Sequence, residues 1–244
     1  MRLNESTAVS TTKVLLVPYK RHHVPTYHSW MEDPAIQEAT ASEPLTLDEE
    51  YENQASWRAS HDKLTFIVCQ PLSSAPAHVS SIPAGGPDAP ERMVGDVNLF
   101  LYPDEEDDDE APDSTAASPR FCVGEVDIMI ADPRHRGKGL GRAVVQAFLQ
   151  YISRNLDGLM QEYAQDKDMP TPPRLRLLMA KINQGNAKSI ALFKSLGFEQ
   201  EGGVSYFGEV KLVLRALSTF AAELPEGYAE LVYFRSSQAK DELN

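Results

Sequence analysis

The run ADPRHRGKGLGRAVV, residues 131–145, combines glycines and bases in a way that could do chemistry. Gly137, Gly139 and Gly141 alternate, and Arg136, Lys138 and Arg142 are set among them, on a chain whose formal net charge is −13. An apolar strand-like segment precedes the run and a helix-like one follows it. A strand that turns through glycines into a helix suits phosphate. The first N–H groups of the helix have no internal partner, its dipole adds positive potential, and glycine lets a ligand approach the backbone. Two nucleotide loops do not fit. No Ser or Thr follows Lys138, as a Walker loop requires, and the third spacing of a Rossmann G-x-G-x-x-G fails. Taken alone, the glycine run also suits a flexible surface turn. Four bases within residues 134–142 favour an anion.

The elements that would carry this loop follow from periodicity. VLLVPY (14–19) reads as a first strand. Val24, Tyr27, His28 and Met31 have helical spacing, interrupted at Asp33-Pro34. Thr46 and Glu49 have capping-box spacing ahead of Leu47, Tyr51 and Ala55. TFIVCQ (65–70), MVGDVNLFLY (93–102) and FCVGEVDIMIAD (121–132) read as strands. A helix is expected from Leu140 to Arg154, with Leu140, Val144, Phe148 and Ile152 on one face. RLRLLMAKI (174–182) reads as a strand, residues 186–198 as a helix capped by Asn186, and 202–217 as a hairpin pivoting on Gly208. The order predicts an α/β domain built on one mixed, mostly antiparallel sheet of about seven strands with about four helices.

Composition sets the rest. A hydrophobic content of 42% is that of an ordinary globular chain. The acidic balance argues against nucleic acid and anionic membrane as partners, and no apolar run is long enough to span a bilayer. Cys69 and Cys122 sit in apolar runs and read as buried free thiols. MRLNESTAVS lacks an apolar signal region, and KDELN does not end on KDEL, so a cytoplasmic location is expected. Residues 103–119 hold eight acidic side chains and no base, and 71–91 is rich in Pro, Ala and Ser. Both are expected to lack fixed structure and to interrupt one domain, 1–217. A Pro-rich connection is expected across 155–173, and 218–244 reads as a tail with a short helix around 219–223 and little else. His22, His23 and His28 read as surface or cap histidines, with no metal site expected.

Two motifs carry a family resemblance. Arg136-Gly137-Lys138-Gly139-Leu140-Gly141 fits the Q/R-x-x-G-x-G/A signature of the GNAT acetyltransferases. Asn186, Ser189-Ile190, Phe193 and Leu196-Gly197-Phe198 reproduce the N-x-x-[AS]-I-x-x-[YF]-x-x-x-G-F helix of the same family. ASEPLTL, MVGDVNLFL and RGKGLG resemble the N-acetyltransferase 9-like subfamily within the ribosomal-protein-type branch. The resemblance covers about residues 1–215. It implies the GNAT fold, acetyl-coenzyme A as co-substrate, and transfer of acetyl to a protein or peptide amine, at an N-terminus or a lysine. By the same resemblance Arg136, Gly137, Lys138, Gly139, Leu140, Gly141 and Arg142 hold the pyrophosphate. Met129 and Ile130 pair with the pantetheine amides and supply an oxyanion donor. Asn186, Ser189 and Phe193 belong to the second cofactor-binding helix.

A base must take the amine proton. Glu125 and Asp127 alternate onto one face of their strand, where burial would raise a carboxyl pKa, and Glu125 is placed ahead of Asp127. A β-bulge in this strand, common in the family, would change which one faces the site. Phe193 stands where the family often has the tyrosine that protonates the leaving thiolate, and a phenyl ring has no proton to give. Three readings stay open: the thiolate leaves unaided, Tyr206 or Ser189 serves, or catalysis is slow. The rival to an enzyme is a cofactor-binding scaffold of the same fold.

Overall fold

Leu15, Val17 and Ile67 turn to one side of a sheet, and Leu16, Phe66 and Val68 to the other. This alternation builds the protein, because the central strands β2 and β3 bury both faces, one on each side of the sheet. The computed structural model describes residues 1–73, 79–104, 121–166, 169–217 and 224–235. In chain order the elements begin with β1 (Thr7–Ser10), β2 (Leu15–Pro18), α1 (Val24–Met31), α2 (Pro34–Thr40), α3 (Leu47–Ala59) and β3 (Lys63–Cys69). They continue with β4 (Ser81–Pro83), β5 (Met93–Pro103), β6 (Phe121–Ile130), α4 (Leu140–Arg154), α5 (Leu156–Asp166) and β7 (Arg174–Asn183). The last are α6 (Ala187–Lys194), β8 (Glu199–Val204), β9 (Glu209–Leu214) and β10 (Ala229–Phe234).

The strands form one sheet in the order β4-β10-β1-β2-β3-β5-β6-β7-β9-β8. Pairing is antiparallel except for β6 with β7 and β10 with β4. The expected α/β class and mixed sheet hold, with ten strands and six α-helices among the described residues instead of about seven and four. On one face α4, α5 and α6 pack over Phe66, Val97, Leu99 and Val126. Phe66 meets Phe148 and Tyr151 of α4 edge-on, with ring centroids 6.1 and 5.1 Å apart, a favoured aromatic geometry. On the other face α1 and α2 cover Leu15, Val17, Ile67 and Met129 with Val24, Tyr27, Met31 and Ile36.

Local signals explain the helix starts. Thr46 and Glu49 close the capping box reciprocally: Glu49 Oε2 accepts from Thr46 N at 2.7 Å, and Thr46 Oγ1 accepts from Glu49 N at 3.3 Å. The Asp33 side chain caps α2 through Ala35 N, 2.9 Å away, which turns the Asp33-Pro34 interruption into a second helix start.

Several expectations are corrected. The described part of 71–91 does not lack structure: Ser81–Pro83 forms β4, and Asp88 is fully buried, while residues 74–78 lie outside the described residues. Ile82 supplies the apolar anchor there, and Pro83 is tolerated because β4 is the outermost strand. The 155–173 connection contains α5, whose Leu159, Met160 and Tyr163 are buried against the sheet. The 218–244 tail contributes β10, paired with β1 from Thr7↔Val232 to Ser10↔Ala229. Residues 105–119 of the acidic run, and the short helix expected at 219–223, lie outside the described residues. No described helix is long and apolar enough to cross a membrane.

Candidate functional site

The site begins where β6 and β7 part. Their parallel pairing runs from Phe121↔Arg174 to Glu125↔Met179 and stops, while β6 continues to Ile130 and stays paired with β5 up to Gly95↔Ile130. Residues 126–130 therefore have β5 on one side and no strand on the other. Phe121 O accepts from Asp104 N, and Ala131 N donates to Val94 O, so odd-numbered residues of β6 direct their peptide groups at β5. By strand alternation the N–H groups of Ile128 and Ile130 face the open side. Of the two residues expected here, Met129 is committed to β5 and Ile130 is open. Ile128 joins it.

No register shift separates the two carboxylates. β6 keeps continuous register with β5, its pairing with β7 shifts between Cys122 and Val123, ahead of Glu125, and another irregularity falls between β3 and β5, where Val68 faces Gly95 and Cys69 faces Met93. Gly95 is required by close approach: a Cβ there would lie 1.9 Å from the Met129 carbonyl oxygen.

At the end of β6 the chain makes a 3-10 turn at Pro133–His135 and enters α4 through the glycine loop. Gly137 and Gly139 adopt positive φ, 74° and 77°, and a Cβ at either would point into open space. Gly139 is the N-cap of α4 and no side chain caps it, so the first N–H groups of the helix stay available to an anion. Gly141 meets α6 instead, where a Cβ would lie 2.8 Å from Leu192. Leu140 is half-buried against the core of α4. These features fit the pyrophosphate of a nucleotide-bearing thioester.

The bases divide differently from the expectation. Arg136 donates from Nε to Ile130 O at 2.7 Å and from Nη2 to Ala131 O at 2.9 Å, lashing the loop to the strand end. Arg142 reaches Ser195 O at 3.0 Å, after α6, and Arg134 pairs with Asp132. Lys138 is exposed and lines both cavities that flank the loop. The larger, about 670 Å³, is bounded by Trp30, Ile36, Met93, Asp132 and His135.

Asn186 caps α6 through Ser189 N, 3.2 Å away. Phe193 is buried with its ring 5.0 Å from Phe198, edge to face. Tyr206 lies at the β8–β9 turn, 98% exposed beside Phe207. The hairpin tip is tied to the end of β7 by Gln184 N donating to Gly208 O at 2.9 Å.

Glu125 and Asp127 share a sheet face but differ in partners. Lys181 Nζ lies 2.8 Å from Glu125 Oε2. Asp127 is open to the solvent of the cleft, yet the walls crowd it closely. Burial, reinforced by Glu125, Asp96 and Glu209 and opposed by Lys181, pushes its carboxyl up to about 7.

Away from the cleft, His22 and His23 both place Nε2 2.9 Å from Asp88 Oδ2, and Tyr233 Oη donates to the same oxygen. Of the surface and cap roles expected for it, His23 takes the second: it is fully buried and stands at the N-cap position of α1. Three histidine and aspartate ligand atoms within 4.8 Å have the makings of a metal site, but the protons point the wrong way. Lys20 N donates to His23 Nδ1 at 3.1 Å, so the neutral ring carries its proton on Nε2, the atom that would have to bind metal. The cluster is a hydrogen-bonded hub.

Comparisons with known proteins agree with this geometry. Residues 13–199 match the family described as Acetyltransferase (GNAT) domain. An N-acetyltransferase 9-like protein of Schizosaccharomyces pombe is 39% identical over 228 residues, covering 89% of this chain and all of that one. The human alpha/beta-tubulin-N-acetyltransferase 9 is 41% identical, covering 88% of this chain and 86% of its own. The fold is shared with a Vibrio cholerae spermidine N-acetyltransferase solved with CoA and spermine, at a TM-score of 0.57 and 16% identity, covering 85% and 98% of the two chains. An open strand edge beside an uncapped, glycine-led helix thus agrees with the similarity over nearly the whole chain: the protein is an acetyl-CoA-dependent N-acetyltransferase of the GNAT family, in its N-acetyltransferase 9-like branch.

Proposed function

We propose that this enzyme acetylates an amine of a protein, with α/β-tubulin as its acceptor, and that Asp127 is the base. The tubulin assignment rests on the names of the fly and human relatives, 42% and 41% identical. The observation that carries the base is the contrast on β6: Lys181 is ion-paired with Glu125, whereas Asp127 has no ion pair among the described residues and a proton affinity matched to neutral pH. Acetyl-CoA, when bound, supplies an activated thioester carbonyl. The N-terminus of α4, with Gly137 and Gly139, receives its phosphates, and Lys138 adds charge. The N–H groups of Ile128 and Ile130 are the donors along the open edge, and the latter supports the oxyanion.

Asp127 takes the proton from the incoming ammonium and leaves the neutral amine to attack. Phe193 has no proton to give. Tyr206 stands at a solvent-exposed tip, which leaves the Ser189 hydroxyl or unaided departure for the thiolate. In this reading the exposed Tyr206–Phe207 pair of the β8–β9 turn meets the acceptor protein. We assign the enzyme to the cytoplasm, where the buried free thiols Cys69 and Cys122 stay reduced.

The test follows labelled acetyl from acetyl-CoA to purified α/β-tubulin and to a panel of N-terminal and lysine peptides. Label on tubulin, lost in Asp127→Asn, is expected. Turnover on peptides with none on tubulin would overturn the acceptor.

A further inference from the structure

Behind Asp127, on the same sheet face, lies a buried polar cluster that the catalytic reading does not use. Asp96 and Asn98 on β5 are both buried. Asn98 stands directly opposite Asp127 on β6 and opposite Thr65 on β3. Asp96 stands opposite Met129, which puts it on the diagonal from Asp127, within reach across neighbouring strands. Asn98 Nδ2 donates to Asp96 Oδ2 at 2.7 Å, and Tyr27 Oη of α1 donates to the same oxygen at 3.3 Å. Asp96 Oδ1, Asn98 Oδ1, Thr65 Oγ1 and Tyr19 Oη have no partner among the described residues.

A cluster of this kind is costly. Buried polar groups without partners destabilise a fold, and no cation among the described residues is paired with Asp96. An apolar residue at position 96 would pack against Ile67, Met129 and Tyr27 at no such cost.

We propose that Asp96 is a positioning residue that works with Asp127 as a carboxylate pair, held by Asn98 and Tyr27 beneath the face from which Asp127 meets the acceptor amine. The proposal rests on Asp127 being the base. Its chemistry is that of two interacting acids, in which the charge of one raises the affinity of the other for a proton. The groups facing Asp96 are Asn98 and Asp127 from the sheet, Tyr19 and Tyr27 from the segment at α1, and Glu50 from α3. Those facing Asp127 are Glu125, Asp96, Lys181 of β7 and Glu209 of β9. Burial pushes Asp96 up to about 6, with Glu50 adding and the Asn98 and Tyr27 hydrogen bonds opposing. Above neutral pH both carboxyls are charged, and Asp96 keeps Asp127 basic enough to accept the amine proton. In the transfer that follows, the amine nitrogen would bond to the acetyl carbon and the carbon–sulfur bond would break with its electron pair on sulfur; of the two protons the ammonium sheds, Asp127 takes the first and the departing thiolate the second.

The test is Asp96→Asn, a near-isosteric change that removes the charge. Carboxyl carbon NMR with labelled aspartate reads the Asp127 midpoint directly, and the acid limb of kcat/KM reads it in turnover. Both are expected to move to lower pH by about half a unit or more. Tyr27→Phe, which weakens the hold on the Asp96 anion, shifts Asp127 in the same direction by less and serves if the first variant does not fold. An unmoved Asp127 midpoint in a folded variant overturns the pair, because a purely structural Asp96 would alter stability and leave the titration in place. Wild-type kcat in Asp127→Asn would overturn the base assignment instead. That failure leaves the NMR shift intact, so the two are told apart.

Discussion

Lys181 of β7 reaches Glu125 of β6, Nζ to Oε2 at 2.8 Å, at the last residue where the two strands are still paired. The ion pair closes the base of the V that opens beyond it. It also distinguishes two carboxylates that share a sheet face, since Glu125 has the Lys181 ammonium as its ion-pair partner.

The first prediction follows from that division of labour. Asp127→Asn is expected to lower kcat by about 100-fold or more, the range for loss of a general base, with the KM for acetyl-CoA unchanged. Glu125→Gln is expected to cost less than about tenfold in kcat and to reduce thermal stability slightly by stranding Lys181. Steady-state kinetics on both variants check the order. Equal losses would show that the ion pair does not separate their roles.

Gly139 tests the phosphate site. Its φ of 77° is strained for any L-residue, by about 1–2 kcal/mol. Its missing Cβ faces open space, so the protein itself has room for a larger side chain and bound acetyl-CoA does not. Gly139→Trp is expected to weaken acetyl-CoA binding at least about tenfold in calorimetry while the melting temperature falls only a few degrees. Undiminished binding would remove the loop from the site.

Gly95 lies far from the loop in sequence but sets the end of β6. A methyl group 1.9 Å from a backbone oxygen cannot be accommodated without moving the strand. Gly95→Ala is therefore expected to destabilise by about 2 kcal/mol or more, within the range for overpacking, and to weaken acetyl-CoA binding by displacing Met129 and Ile130. Denaturation together with binding by calorimetry reads both effects.

The buried His23 makes a prediction about pH. Burial holds its imidazole down to about 4, against an ordinary value of 6.5. In the unfolded chain His23 takes up a proton as pH falls below 6.5, and in the folded protein it refuses one until about 4. The stability this site contributes is thus complete above pH 6.5 and is lost between 6.5 and 4, by roughly 3 kcal/mol. Burial also opposes the charge on Asp88, but hydrogen bonds from His22, His23 and Tyr233 outweigh it and hold that carboxyl well below the usual range. Its contribution is lost only at still lower pH. Urea denaturation of wild type and His23→Gln is expected to show a stability difference that shrinks as pH falls from 6.5 to 4. A difference constant across that window would place the proton elsewhere.

Much of this was legible in the residues themselves. The capping box at Thr46 and Glu49, the helix from Leu140 to Arg154, the Asn186 cap and the glycine loop are local devices, and each follows from chemistry within one or two turns of chain. The fold class followed from their order, and the two motifs pointed to the family. Arg136 and Arg142 were read as phosphate ligands because charge is visible in sequence; the carbonyls to which they also donate, Ile130 O and Ser195 O, are not.

What only the tertiary structure decided is non-local. Asp88 sits in a Pro- and Ala-rich stretch with no sign of burial, and becomes a hub because residues 22, 23 and 233 converge on it. Strand alternation puts Glu125 and Asp127 on one face, yet separating them needed Lys181, 56 residues away from Glu125. The point at which β6 leaves β7, and with it the open N–H groups of Ile128 and Ile130, is set by pairing between distant strands. Local sequence fixes backbone preference and side-chain alternation, but pairing register and the company a charge keeps arise only when distant segments meet.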